Sequence, residues 1–200
     1  MSDAVSTTRA TYTLIAQTFA QRVLGSPEID ADLDFIAAQV PGGLVADIGC
    51  GPGRDTAALR GRGLRAVGLD LSDAMLRAGG QPCVAQADMR SLPLRGGSLD
   101  AIWCQAAFLH IPREYAHQVL SEFARTVRPG GVLHLAVAEG DDEGWEVAST
   151  YGSDARRWFC YHREAPLTAL LAAAGFEVLG VRRWTYYRNW LGLRARRRSS

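Results

Sequence analysis

The fold of this chain is decided by the stretch Val45-Ala46-Asp47-Ile48-Gly49-Cys50-Gly51-Pro52-Gly53-Arg54-Asp55. It begins in a short apolar run, which is typical of a strand buried on both faces of a parallel sheet. Three glycines follow at alternate positions, and a helical pattern opens directly after them. Because glycine permits positive φ and lets a ligand lie against bare backbone, the stretch predicts a strand, a ligand-binding loop and a helix. A tight strand-to-helix turn without a ligand is the alternative interpretation.

Similar apolar runs recur along the chain and alternate with helical stretches or compact loops. They occupy residues 44–48, 66–69, 83–85, 101–104 and 132–138. Strands that alternate with helices in this way indicate a parallel sheet with helices on both faces. No internal repeat or long linker interrupts the pattern, so we expect a single domain over residues 1–200.

The two ends of the chain complete the expected fold. Residues 8–24 and 28–40 predict two helices, with Gly25-Ser26-Pro27 ending the first. Residues 166–174 predict a later helix closed by Gly175. Two strands at residues 176–184 and 187–193 are joined too closely for a crossover and must therefore pair antiparallel. The predicted fold class is α/β, a doubly wound and mostly parallel seven-stranded sheet with a C-terminal antiparallel hairpin.

Composition narrows the classes of function. The 200 residues carry a formal net charge of +1, which gives no electrostatic reason to expect a nucleic acid or a membrane as partner. The cysteines form no C-x-x-C pair, so we expect no metal site, and we interpret them as isolated core thiols: Cys50, Cys83, Cys104 and Cys160. The polar residues 1–9 and the lack of a long apolar segment predict a cytoplasmic protein. The oligomeric state stays open.

Acidic residues mark three successive strand ends. Asp47 precedes the glycine loop, Asp70 lies 21 positions after Gly49, and Asp88 follows the third strand. Open parallel sheets bind ligands beyond these carboxyl ends, and an acid at the second strand accepts hydrogen bonds from ribose hydroxyls. The three acids therefore predict a nucleoside-containing ligand. For Asp70, capping of the helix that starts at Ser72 is an alternative role, and the two roles are compatible.

The ordered motifs resemble those of the class I S-adenosylmethionine-dependent methyltransferases, in the small-molecule branch that includes quinone-biosynthesis enzymes. The motifs are Asp-Ile-Gly-Cys-Gly-Pro-Gly at 47–53, Val-Gly-Leu-Asp-Leu-Ser at 67–72, Ala-Asp-Met at 87–89, Ser-Leu-Asp-Ala-Ile-Trp at 98–103 and Val-Arg-Pro-Gly-Gly-Val-Leu at 127–133. The resemblance runs from about Tyr12 to the end of the chain. It implies a Rossmann-like methyltransferase fold and S-adenosyl-L-methionine as cofactor, with a small molecule as the methyl acceptor.

The resemblance also implies roles for particular residues. Asp47 would lie near the methionine amino group, Asp70 at the ribose hydroxyls and Asp88 at the adenine amino group. The other implied cofactor contacts are Tyr12, Gly49, Cys50, Gly51, Gly53, Leu71, Met75, Met89, Gln105 and Ala106. Residues 1–40 would form helices over the cofactor site. For Tyr12, packing within an amphipathic helix is the alternative.

Two related functions fit the residues less well. Nicotinamide-dependent dehydrogenases space their glycines G-x-G-x-x-G, whereas here the third glycine comes one place early, at Gly53, and Arg54 follows it. The segment Cys104-Gln105-Ala106-Ala107 lacks the Asn/Asp-Pro-Pro-aromatic tetrad with which this fold methylates exocyclic amines. The sequence therefore argues against DNA as a partner.

His110 is the candidate catalytic base. Methyl transfer from a sulfonium is an in-line displacement, in which the protein chiefly aligns the reactants. His110 follows the fourth strand in Phe108-Leu109-His110-Ile111-Pro112, and histidine titrates near neutral pH. A capping or packing role in the loop is the alternative. We expect His134 to be a buried core histidine and His117 to be solvated.

Residues 139–164 show no regular pattern and are rich in glycine, aspartate and aromatic residues. A loop of this length in a compact domain is usually a lid or a binding segment. We expect it to cover the acceptor, with substrate contacts from Trp158, Tyr161 and His162, and with Arg156 and Arg157 as further polar contacts. Packing of the aromatics on the sheet edge is the alternative.

The arginines near the end of the chain, Arg194, Arg196, Arg197 and Arg198, predict a solvated basic tail. Contact with RNA is the alternative interpretation. Three functions stay open at this point: a small-molecule methyltransferase, an RNA or protein methyltransferase that uses the tail, and a cofactor-binding protein without catalytic activity.

Overall fold

The computed structural model describes residues 4–22 and 27–199. Its strands are β1 (Leu44–Ile48), β2 (Arg65–Asp70), β3 (Val84–Gln86), β4 (Leu99–Gln105), β5 (Val127–Ala138), β6 (Glu143–Val147), β7 (Arg156–Cys160), β8 (Phe176–Tyr186) and β9 (Arg188–Arg197). Its α-helices are α1 (Ala4–Arg22), α2 (Asp30–Gln39), α3 (Arg54–Gly61), α4 (Asp73–Gly79), α5 (Ala116–Thr126) and α6 (Glu164–Ala173). Short 3₁₀ turns cover Pro27–Ile29, Phe108–His110, Arg113–Tyr115 and Ser149–Tyr151.

Seven of the strands form one sheet in the order β3-β2-β1-β4-β5-β9-β8. The first five pair in parallel, and β9 pairs antiparallel with both β5 and β8. The predicted fold class and the C-terminal hairpin are therefore confirmed. The strand order reverses between β1 and β4, and ligands of open α/β sheets bind in the crevice that such a reversal creates.

Apolar helix faces cover both sides of the sheet. On one side, Leu33 and Ile36 of α2 pack against Val45 of β1 and Trp103 of β4. On the other side, α5 and α6 bury side chains at helical spacing, among them Val119, Leu120, Phe123, Leu167 and Leu171. The expectation that both N-terminal helices lie over the ligand site is therefore wrong for α2, whose apolar stripe fits the sheet face. Helix α1 instead packs on α4 and β7, above the strand ends.

Residues 139–164 are more regular than the sequence predicts. Strands β6 and β7 form a separate antiparallel hairpin in which Trp145 opposes Trp158 and their rings meet edge to face. At the next pair of positions, Glu146 lies opposite Arg157. Because aromatic and opposite-charge cross-strand pairs stabilise a hairpin, the segment forms strands without an apolar run. The prediction of an irregular loop is wrong.

The C-terminal arginines do not form a solvated tail. Arg194, Arg196 and Arg197 belong to β9, where they interleave with the buried Leu193 and Ala195. A strand between two others pairs its backbone on both sides and alternates its side chains between the two faces of the sheet. Arginine fits such a strand when its aliphatic stem packs on the sheet and its guanidinium finds an acceptor. Arg198 follows the strand and is exposed. The prediction of a tail is wrong for the three strand residues.

Several smaller expectations change as well. The second helix begins with the 3₁₀ turn Pro27–Ile29 and ends one residue earlier than predicted, while Gly25 and Ser26 lie outside the described residues. Three of the cysteines are buried, but Cys83 is exposed, and all four are free thiols. Among the described helices, none combines the length and the apolar character that crossing a bilayer requires.

A buried carboxylate ties α2 to the C-terminal hairpin. Asp32 is 1% exposed and accepts hydrogen bonds from Arg182 of β8 at 2.5 Å and from Arg194 of β9 at 2.6 Å. One negative charge thus serves two guanidinium groups at the point where helix and hairpin meet.

We expect Asp32→Asn to lower the free energy of unfolding by about 3 kcal/mol, because both arginines lose a desolvated counter-charge. The matched control is Asp34→Asn on the same helix, whose carboxylate is exposed and pairs with Arg62. An exposed pair contributes less than about 1 kcal/mol. Urea unfolding followed by circular dichroism measures both variants, and equal losses would contradict the proposed anchoring role of Asp32.

Candidate functional site

A cavity of about 530 Å³ opens at the carboxyl ends of β1, β2 and β4. Its volume lies in the range of small-molecule sites, about 300–1,000 Å³. The loop after β1 forms the floor. Helix α1, the β6–β7 hairpin and the turn between β8 and β9 form the opposite walls. The sheet edge predicted to bind a ligand is therefore the edge at which the cavity lies.

The floor is built from glycines because side chains do not fit there. Gly49 has φ +72°, and a Cβ at this position would lie 2.2 Å from the Cβ of Ala107. Gly51 has φ +54° and donates its N–H to Asp70 at 2.8 Å. Cys50 also lines the cavity. Gly53 does not: it precedes α3 and serves the turn into that helix.

Asp70 joins the cavity to the helix that follows β2. Its Oδ2 accepts the N–H of Gly51 and its Oδ1 accepts the N–H of Ser72, each at 2.8 Å. Burial raises the pKa of this carboxyl, and the two backbone N–H groups oppose that rise. A carboxylate has about four acceptor positions, so two are left for a ligand in the cavity. Asp70 therefore ties the glycine loop to the residue that precedes α4, while its contact with a ribose stays a prediction.

Asp47 lies at the other end of the floor. It is buried, and Thr56 donates its hydroxyl to Oδ2 at 2.6 Å. Burial and repulsion from Asp55 raise the pKa of Asp47 to about 8. A cationic group in this part of the cavity would stabilise the ionised form. Gln105 and Ala106, at the end of β4, line the same region.

Apolar side chains line the cavity beside Asp70. They are Leu71, Met75 and Met89, the three residues implied as neighbours of an adenine ring. Asp88 does not reach this cavity but borders a side pocket of about 40 Å³ that shares Leu71 and Met89 with it. Burial opposes ionisation of Asp88, but the Arg90 guanidinium, which donates at 2.7 to 3.1 Å, outweighs it and lowers the pKa.

His134 is confirmed as a buried histidine of the core. Its ring stacks on Trp103 with centroids 3.9 Å apart, and Nε2 donates to the amide oxygen of Gln105 at 2.9 Å. Its Nδ1 has no hydrogen-bond partner. Burial lowers the pKa of His134 to about 4. His117 lies exposed on α5, as predicted.

A hydrogen-bonded chain crosses the wall opposite the glycines. The Nδ1 of His110 lies 2.6 Å from the carbonyl oxygen of Trp158, which accepts only, so Nδ1 carries the proton. Nε2 then accepts the hydroxyl of Tyr12 at 2.8 Å, and the Tyr12 oxygen accepts an Nη1 proton of Arg157 at 3.1 Å. Tyr12, His110 and Arg157 all line the cavity. Both ring nitrogens of His110 are therefore occupied by the protein.

Burial changes the titration of this chain. It lowers the pKa of His110 to about 3, although the Trp158 carbonyl opposes the shift. It raises the pKa of Tyr12 to about 12, against the opposing charge of Arg157. Between these two pKa values His110 stays a neutral imidazole and Tyr12 a neutral phenol.

The structure does not bring the three expected substrate residues into the cavity. Trp158 packs on Trp145, Tyr161 hydrogen-bonds Glu146, and His162 lies buried beside Phe108. The intervening positions of β7, Arg157 and Phe159, face the cavity instead. Alternate residues of a strand point to opposite faces, so recognition of β7 as a strand would have separated Trp158 from Arg157 and Phe159. Tyr161 and His162 follow the strand, which ends at Cys160. Arg156 is exposed and packs over Trp145.

Known proteins share sequence motifs and the fold with this chain. Residues 46–135 match the family model described as a methyltransferase domain. Over 144 residues the chain is 33% identical to the malonyl-[acyl-carrier protein] O-methyltransferase of Dechloromonas aromatica (strain RCB), a match that covers 70% of this chain and 53% of that protein. The chain spans about half or less of the length of curated relatives that it matches.

Two solved structures share the fold over nearly the whole chain. The magnesium protoporphyrin IX methyltransferase of Synechocystis PCC 6803, with bound S-adenosylmethionine, has a TM-score of 0.78 at 20% identity and covers 100% of this chain and 99% of its own. The 1,6-didemethyltoxoflavin-N1-methyltransferase of Burkholderia thailandensis, with bound S-adenosylhomocysteine, has a TM-score of 0.78 at 19% identity, covering 97% and 88%. These likenesses show the fold.

The burial of His110 and its bond to the Trp158 carbonyl predict an unusual titration. We expect ¹⁵N NMR spectra to show His110 as the neutral tautomer with a proton on Nδ1, unchanged between pH 5 and 8, because its pKa is lowered to about 3. In urea the same histidine should titrate near the ordinary value of about 6.5. Tyr12→Phe should leave the tautomer in place, since the Trp158 carbonyl fixes it. A histidine that titrates near pH 6.5 in the folded protein would contradict this geometry.

Proposed function

We propose that this chain, which matches a methyltransferase-domain family over residues 46–135 and shares the fold of S-adenosylmethionine-dependent methyltransferases, transfers a methyl group from S-adenosylmethionine to a small-molecule acceptor held in the cavity. The proposal rests on one observation: the N–H of Gly51 in the glycine loop after β1 donates to the carboxylate of Asp70 at the end of β2. A backbone without side chains beside a carboxylate with free lone pairs suits a nucleoside.

The residues of the floor fit the cofactor by size and by charge. We assign Gly49, Cys50 and Gly51 to its backbone-bound face, and Asp70 to the ribose hydroxyls through the acceptor positions left free by Gly51 and Ser72. Leu71, Met75 and Met89 supply an apolar surface for the adenine. Asp88 would reach the adenine amino group from the side pocket while keeping its pairing with Arg90.

The methionine end of the cofactor is assigned to Asp47, Gln105 and Ala106. The pKa of Asp47 is raised to about 8, so a neighbouring ammonium group would favour its ionised form and gain a counter-charge. When bound, the cofactor supplies a methyl group on a sulfonium. The protein has to exclude water and align the acceptor with that methyl group.

His110 is assigned a positioning role. Its Nε2 holds the Tyr12 hydroxyl and its Nδ1 is taken by Trp158, so neither nitrogen is free to take a proton from an acceptor. We propose that His110 orients Tyr12, whose oxygen lines the cavity. This replaces the role of catalytic base suggested by the sequence.

The enclosed cavity favours a small acceptor over RNA or protein. Three of the four arginines that suggested RNA are engaged within the fold: Arg194 with Asp32, Arg196 with Gln39 and Arg197 with the Val127 carbonyl. A cytoplasmic location stays a prediction from the sequence.

We expect Asp70→Asn to weaken binding of S-adenosylmethionine about tenfold or more, because a charge-assisted hydrogen bond contributes ~1.5–3 kcal/mol. The matched control is Asp73→Asn, whose exposed carboxylate pairs with Arg77 outside the cavity. Isothermal titration calorimetry measures both. Equal affinities for the two variants would remove Asp70 from the site, and no binding by the unaltered protein at millimolar cofactor would end the proposal.

Turnover separates an enzyme from a binding protein. The unaltered chain, incubated with S-adenosylmethionine and a small-molecule extract of cells, should release S-adenosylhomocysteine, which chromatography detects. Release without extract gives the background. Binding of the cofactor with no release above that background, from any extract fraction, would favour the cofactor-binding protein without catalytic activity.

A further inference from the structure

Acidic and basic residues line opposite sides of the cavity. The acids Asp47, Asp55 and Asp70 lie on the side of the sheet, at the carboxyl ends of β1 and β2 and in the first turn of α3. The opposite walls carry arginines: Arg9 and Arg22 from α1, Arg157 from β7 and Arg188 from β9. Since the proposed cofactor lies on the acidic floor, the acceptor would face the arginine side.

Arg157 differs from the other arginines in its burial. It is 7% exposed, and its guanidinium carbon lies 5.5, 5.3 and 5.2 Å from the ring centroids of Tyr12, Tyr151 and Phe159. One Nη1 proton goes to the Tyr12 hydroxyl, while the buried Nε has no hydrogen-bond partner. Within residues 4–22 and 27–199, no carboxylate forms an ion pair with it. The guanidinium is therefore held by aromatic rings and makes no direct ion pair, because Glu146, opposite it on β6, pairs with Arg188 instead.

The neighbouring arginines are neutralised or solvated. Arg188 donates to Glu146 at 3.1 Å and to the Tyr161 hydroxyl at 3.0 Å, and Arg54 pairs with Asp55 at 2.7 Å. Arg9 and Arg22 are exposed, so water screens their charge. Arg157 alone among these five combines burial with a missing carboxylate.

A buried charge without a partner is costly, and a planar guanidinium matches a carboxylate with two parallel hydrogen bonds. We propose that the acceptor carries a carboxylate that pairs with Arg157, on an apolar, ring-bearing body. The aromatic residues beside Arg157 support an apolar, ring-bearing body, because Tyr151 and Phe159 both line the cavity. This inference rests on the proposed function and names the substrate class for the same cavity.

A second source of a carboxylate exists in the proposed cofactor, which has an amino-acid end. The geometry favours the acceptor. Arg157 lies on β7 with Tyr12 and Phe159 around it, whereas the residues assigned to the methionine end, Asp47 and Gln105, lie on the sheet side. If Arg157 pairs with the acceptor, its replacement weakens binding of the acceptor. If it pairs with the cofactor, its replacement weakens binding of the cofactor.

The test uses phenylacetate and its neutral isostere phenylacetamide as probes, titrated by calorimetry into the protein saturated with S-adenosylhomocysteine. We expect phenylacetate to bind about tenfold or more tightly than phenylacetamide, because only the acid supplies the missing charge. This arm uses the unaltered protein and does not depend on how any variant folds. Equal affinities, or no binding of phenylacetate at 10 mM (about the weakest affinity that specific pairing would give), would overturn the proposal.

Variants assign the preference to one arginine. Arg157→Gln should abolish the preference for phenylacetate, Arg157→Lys should restore part of it, and the exposed control Arg9→Gln should keep it. Affinity for S-adenosylhomocysteine should stay within about threefold in all three. A loss of affinity for S-adenosylhomocysteine in Arg157→Gln, with the preference for phenylacetate intact, would assign the arginine to the cofactor and overturn the proposal. If S-adenosylhomocysteine does not bind the unaltered protein, the proposed function itself fails.

Discussion

The site depends on the hydrogen bond from the Gly51 N–H to the Asp70 carboxylate. It ties the loop after β1 to the end of β2, whose carbonyl at Leu69 also accepts the N–H groups of Gly49 and Cys50. These bonds hold the loop flat across two strand ends in the parallel register of Ile48 with Leu69. A floor of bare backbone then leaves the cavity open. A side chain at Gly49 would enter the space of Ala107 and separate the loop from the sheet.

Opposite that floor, parts of the chain far apart in sequence form a second wall of different chemistry. Tyr12 of α1 meets Arg157 of β7, 145 positions later, and His110 joins them from the loop after β4. The floor is acidic and the wall is basic and aromatic, so the two sides of the cavity select different ligand groups. An acidic floor suits ribose hydroxyls and an ammonium group, and a desolvated guanidinium suits an anion. Division of one cavity in this way allows a cofactor and an acceptor to bind side by side.

The sequence was sufficient for the fold and for the floor because both depend on local patterns. Buried strands, the glycine loop and the close spacing of β8 and β9 each leave a signature within about a dozen residues. The wall leaves no such signature. The strand nature of β7 comes from cross-strand pairs with β6. Trp158, Tyr161 and His162 were therefore expected in the cavity together with Arg156 and Arg157, but of these five only Arg157 lines it, beside Phe159. The arginines of β9 likewise suggested a tail, because their acceptors lie far away in the sequence, as Asp32 does from Arg194 at a separation of 162 positions.

A crystal structure with S-adenosylhomocysteine tests the central claim most directly. The account predicts the adenosine over Gly49 and Gly51, with the ribose hydroxyls within hydrogen-bond distance of Asp70, about 2.5–3.0 Å between oxygens. It also predicts that the space beside Arg157 stays open for an acceptor. A ligand bound elsewhere on the protein, or one whose ribose does not contact Asp70, would contradict the account.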